Sequence, residues 1–216
     1  MLPFTHAEFI EVFARYNENV WPAQGVAYLL AIAMLAAIAV RWRHSGRLAA
    51  GGLALMWLWT GIAYHGIHFS AINRAAYLFG ALFVVQALLL IRAALANRLR
   101  FATVGKTRPW LGWGLVAYAT ILYPMLGLWV GLRPVEVPMF GITPCPVTIF
   151  TFGIFLLSAT PVPRWLVVVP VLWALVGGSA AFLLHVPQDW VLVLSGLSVI
   201  LLLRPGDSMA AARFKE

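Results

Sequence analysis

The sequence predicts an all-α, polytopic membrane bundle: seven transmembrane helices preceded by an amphipathic helix lying in the membrane interface. Three observations predict it. Of 216 residues, 62% are hydrophobic and only 10% charged, against roughly 25% charged in a soluble domain that must clothe its surface in solvated groups. The apolar residues fall into runs near the roughly 20 residues a spanning helix needs. The basic residues lie in short clusters between those runs, where they set topology and meet anionic lipid. The net charge of +8 therefore points to membrane lipids as partners. With no recognition motif present, nucleic acid is excluded as one.

The first element is the interfacial helix, residues 5–18. Thr5 and Glu8 have capping-box spacing. Phe9, Val12, Phe13 and Tyr16 fall on one face, with Glu8, Glu11, Arg15 and Glu18 on another, too charged to span. No basic n-region with a short apolar core precedes it, so the first span is expected to act as its own insertion signal. The spans follow as Val20–Val40, Leu48–His68, Ala75–Ile91, Pro109–Gly131, Phe140–Ala159, Trp165–Leu184 and Asp189–Leu203. The fifth carries Pro144 and Pro146 near its start, and the seventh is short. Gly177-Gly178-Ser179-Ala180-Ala181 in the sixth reads as a close helix contact built from small residues. Trp57 and Trp59 sit near mid-membrane and read as core filling. No repeat or linker divides the chain, so residues 1–216 form one domain.

These spans place Arg41, Arg43, Arg47, Arg92, Arg98, Arg100, Lys106, Arg108, Arg164, Arg204, Arg213 and Lys215 on one side. Only Arg15, Arg74 and Arg133 fall on the other. Cytoplasmic loops carry the excess of Lys and Arg. The expected location is a bacterial inner membrane, with the N-terminus periplasmic and the C-terminus cytoplasmic.

Depth follows from about 1.5 Å per helical residue. His65 lies roughly 25 Å above the cytoplasmic end of its span, Gln24 roughly 24 Å, and Cys145 and Asp189 roughly 21 Å. In a core of about 30 Å these all fall in the outer third. His68, Asn73 and His185 lie just above. With Glu18, these eight residues are the candidates for an outward-facing pocket, because ionisable groups at membrane depth face the bundle interior or a wet cavity. Asp189 also suits a helix N-cap. His65 and His68 are three apart and on an α-helix share a face. With His185 they are the candidate metal ligands, and zinc the candidate cofactor. Cys145, the single cysteine, excludes an internal disulfide and reads either as a reactive thiol at a helix start or as small apolar filler. The broken stretch Pro134–Pro146 needs protein or a water-filled cavity to shelter its backbone.

The segments FTHAEFIEVFARYNENVWPAQ, LWTGIAYHGIHFSAIN, FGITPCPVTIFTFG and VGGSAAFLLHVPQDW resemble a family of small bacterial multi-spanning membrane proteins that has no assigned activity. The resemblance covers nearly the whole chain and implies this topology and this outer layer. YNENVW before the first span, with a histidine on the second, is also similar to the seven-span metal hydrolases that include alkaline ceramidases. The paired histidines that family carries on its last helix are absent here. The expected function is non-enzymatic: an outward-facing polar pocket that binds or passes a small solute or metal ion. The alternatives are an outward-facing hydrolase using His65, His68, His185 and Asp189 around zinc, or an accessory subunit. A homo-oligomer or a larger membrane complex is the assembly such roles imply.

Overall fold

The computed structural model describes residues 3–101, 107–184 and 186–202, and within them the chain is helical. Helix α1 spans His6–Asn19 and starts as its spacing predicts: the Thr5 hydroxyl accepts from the Glu8 amide, and the Glu8 carboxylate accepts from the Thr5 amide. Val12, Phe13 and Tyr16 are buried beneath it, while Glu11 and Arg15 pair on the exposed side at 2.9 Å. After a break at Val20-Trp21-Pro22, α2 (Ala23–Ala39) leaves at 80° to α1.

Helix α3 (Ser45–Trp59) runs on without interruption into a π-helical segment, Thr60–His68. Helix α4 is Ala76–Leu95. Helix α5 (Thr107–Ala117) passes through a second π segment, Tyr118–Leu122, into α6 (Tyr123–Trp129). The predicted span Phe140–Ala159 is shorter in the structure: α7 covers Pro144–Leu157. Pro144 and Pro146 fix its first turn, where missing amides cost nothing, and Gly141 bends the chain before it at φ +77°. Every α7 side chain except that of Cys145 is buried, and a helix apolar all round belongs in the middle of a bundle. Helix α8 (Arg164–Leu183) and α9 (Trp190–Leu202) close the fold, joined through a 3-10 turn at Pro187–Asp189.

Helices α3, α5, α8 and α9 surround α7, α4 packs on α3 and α8, and α2 on α3. Backbones approach closely where side chains vanish. A Cβ on Gly80 would lie 2.8 Å from the Gly61 carbonyl oxygen, and one on Gly153 would lie 2.9 Å from that of Gly112. Gly177 likewise admits the Leu192 side chain, so the small-residue stretch joins α8 to α9. Dispersion between closely packed helices replaces a hydrophobic force that lipid does not supply. Trp57 fills the core, donating from its indole to Thr151 Oγ1 at 2.9 Å.

Apolar stripes face outward: Val26, Leu29 and Ile32 on α2; Leu78, Val85 and Leu88 on α4; Leu194, Leu197 and Leu201 on α9. Among the described residues three helices are long and apolar enough to cross a membrane: Ala76–Leu95, Pro109–Trp129 and Arg164–Leu183. The bent pair α1–α2 makes a fourth if it is one span. The other expected spans are shorter or change helix type. Helix α7, at 14 residues, rises only about 21 Å.

Candidate functional site

Asp189 ends the 3-10 turn that leads into α9, with its amide bonded to the Val186 carbonyl at 3.1 Å. Its side chain is 4% exposed. One carboxylate oxygen accepts from the Tyr123 hydroxyl at 2.5 Å, the other from the Cys145 thiol at 3.5 Å. Three elements thus meet on one carboxylate. Tyr123 opens α6 directly after the π segment Tyr118–Leu122, and Tyr118 donates to the Gln188 carbonyl at 2.9 Å. Cys145 sits in the proline-fixed first turn of α7.

His65 faces the same space from the other π segment. Its ring is fully buried and packs edge-on to Phe83 at 4.8 Å, Trp173 at 5.0 Å and Tyr64 at 5.1 Å. Neither ring nitrogen has a hydrogen-bond partner, and neither does the Trp173 indole nitrogen. Buried polar groups are nearly always bonded, and each exception calls for a cause such as a missing ligand or water.

These groups border a cavity of about 180 Å³. Asp189, Tyr123, Cys145 and His65 supply its polar wall, and Tyr64, Phe69, Phe79 and Trp173 supply aromatic surface. Phe4, Phe9 and Phe13 close it from α1. A second cavity of about 430 Å³ runs on beneath α1 and shares Phe9, Phe13, Pro138 and Leu184 with the first.

Of the residues singled out from sequence, His65, Asn73, Cys145 and Asp189 line this one cavity. Asn73 does so while its side-chain oxygen accepts from the Ala75 amide at 3.0 Å. His68 does not line it. Its Nδ1–H donates to the Ala63 carbonyl at 2.8 Å, Nε2 accepts from Asn19 at 3.3 Å, and the ring lies edge-on to Tyr16 at 5.0 Å. The shared face expected for His65 and His68 assumes an α-helix. In the π segment, i→i+5 bonding widens the turn, and residues three apart diverge. Gln24 is buried under the end of α1, donating to the Asn17 carbonyl at 2.9 Å, and Glu18 is exposed. His185 lies outside the described residues.

The described residues do not fit a metal centre: no three His, Cys, Asp or Glu side chains among them stand close enough to share an ion. The Cys145 thiol donates to Asp189, and among the described residues no imidazole bonds to it. What the arrangement offers is a partly open, largely apolar chamber rich in aromatic rings, with hydrogen-bonding groups in its wall.

Sequence reasoning missed Tyr123, Tyr64 and Trp173. Tyr123 had a legible signal: counted from Pro109 it stands roughly 21 Å up its helix, the height of Asp189. Asn17 was missed too. It donates to both the Val135 and Val137 carbonyls, at 2.7 and 2.8 Å, and so shelters the broken stretch before α7.

Neither the curated proteins nor the solved structures hold a match to this chain. A family model does match, over residues 6–213, and its description is a family of unknown function, DUF6064. That match spans nearly the whole chain, which therefore belongs to the DUF6064 family.

Proposed function

We propose that the protein is a seven-span integral membrane protein whose outward-facing cavity binds a small, mainly apolar molecule with a polar head. The observation that carries this reading is the pair of buried, unpartnered polar side chains, His65 and Trp173, on the wall of a roughly 180 Å³ cavity. Unmet hydrogen-bonding groups at that depth are costly. A bound molecule with a complementary head relieves the cost. Size narrows the guest: an engineered cavity of about 150 Å³ takes benzene, so the space beside His65 suits a group of that order.

The topology rests on the basic residues, which favour the side away from α1, and on the 80° turn between α1 and α2. That turn suits an interfacial helix meeting a spanning one. The same asymmetry puts the cavity on the outer side of an inner membrane. The reading is non-catalytic, because no group in the cavity is set to attack a substrate.

The test is equilibrium binding of small aromatic and alicyclic probes to purified protein in nanodiscs, followed by tryptophan fluorescence. The control is Val176→Phe, which fills space at the cavity wall. Saturable binding to wild type, at least tenfold weaker in the filled variant, is the expected result. Identical responses from both proteins across the panel would overturn it.

A further inference from the structure

We infer that the cavity's ligand is a small organic cation, a protonated amine whose ammonium group sits against Asp189 within the aromatic wall. This rests on the binding reading above and adds the chemical class. Asp189 is a buried carboxylate held by two donors that bring hydrogen bonds but no positive charge, the Tyr123 hydroxyl and the Cys145 thiol. Among the described residues the ion pairs lie elsewhere, at Arg15–Glu11 and Arg133–Glu136 on the exposed surface. Among the described residues no Lys or Arg side chain lines the cavity. A carboxylate taken out of water needs a counter-charge to persist as an anion.

The rest of the wall suits a cation as well. Tyr64, Phe69, Phe79 and Trp173 surround the space, and ring faces attract ammonium groups more strongly when water is excluded. The cation is taken as organic rather than metallic, because among the described residues no three His, Cys, Asp or Glu side chains stand together as a metal would need. In a neutral imidazole one nitrogen accepts, and His65 has both nitrogens unpartnered. An ammonium N–H directed at Asp189 leaves others for that acceptor. The Trp173 N–H then remains for an oxygen on the same ligand, which places small amino alcohols and amino ethers within the class.

A charge-isostere series on wild-type protein in nanodiscs at pH 7 tests this: benzylamine, benzyl alcohol and benzoate, each corrected for its response with Val176→Phe. Benzylamine is expected to bind at least tenfold tighter than benzyl alcohol, with benzoate excluded. Asp189→Asn is expected to abolish the preference, bringing benzylamine down to whatever affinity that variant shows for benzyl alcohol. If that variant does not fold, the wild-type ranking decides alone. Equal affinity for amine and alcohol would overturn the cation while leaving a ligand-binding cavity in place. No binding by any probe would overturn both readings together.

Discussion

Asp189 shows how a residue legible as a helix cap becomes a junction. Its carboxylate reaches two other helices, through Tyr123 and Cys145, so its loss should act on the packing of α6 and α7 as well as on α9. Tyr123→Phe removes the shorter of the two bonds. A hydrogen bond to a charged group contributes about 1.5–3 kcal/mol in soluble proteins, whereas cycles within membranes average about 0.6. We expect a loss of ~1–2 kcal/mol in reversible unfolding. In a double-mutant cycle, Asp189→Asn should couple to Tyr123→Phe by at least ~0.5 kcal/mol and to His65→Ala by less, since His65 makes no direct bond to the carboxylate. Strictly additive Tyr123 and Asp189 effects would remove the junction. At the surface, Glu8 is held below its ordinary value of 4.5, first by the Thr5 amide and then by the Thr5 hydroxyl. The capped form of α1 is therefore favoured above that value and loses its advantage as pH falls through the lower folded one. Carboxyl and amide chemical shifts of Glu8 and Thr5 should move together below pH 4.5, while Thr5→Val, which loses the hydroxyl but keeps the amide, should bring Glu8 only part of the way back to its ordinary value.

Elements decide which of these residues meet. One π segment borders the cavity with Tyr64 and His65, and the other leads straight into Tyr123, which lines it from α6; such wide turns are frequent at functional sites. Composition does not announce a π turn, because the same apolar residues suit an α-helix. That is why His65 could be singled out from sequence but its separation from His68 could not be read there. Close packing was legible only where glycines adjoin, as at Gly177-Gly178. The Gly61–Gly80 contact joins residues from different helices and emerges only in three dimensions. Gly80→Ala sets a methyl 2.8 Å from a backbone carbonyl, and overpacking of this kind costs about 1–3 kcal/mol. Its thermal unfolding should fall well below that of Gly114→Ala, where a Cβ meets nothing within 4 Å. Phe9 and Phe13 of α1, with Phe4 just before it, line the same cavity as Cys145. Phe9→Ala with Phe13→Ala should speed labelling of Cys145 by an impermeant thiol reagent at least tenfold over wild type. Equal rates would mean that access does not run beneath α1.

Across the whole molecule, the apolar runs conveyed the helices but did not fix their lengths, and the charge pattern supplies an expected sidedness. Helix α7 falls short of a full span because prolines set its start, and a 3-10 turn sets the start of α9, which is described to Leu202. A shared depth for His65, Cys145 and Asp189 could be counted along the chain, whereas their lateral meeting depended on which helices neighbour α7. A reporter active only in the periplasm should be silent after Glu216 and active at Met1. The opposite pattern would invert the outward placement of the cavity. Asn17 carries a mechanical consequence for that side of the molecule. It clamps the C-terminal end of α1 to the Val135 and Val137 carbonyls, and Tyr16 adds a bond to the Ile142 carbonyl at 2.7 Å. The other end of α1 rests on ring contacts, Phe4 and Phe9 against Phe69 at 5.5 and 6.0 Å. A beam clamped at one end deflects at its tip, so a guest wedging past α1 does the least work at the Phe4 end, furthest from the clamp.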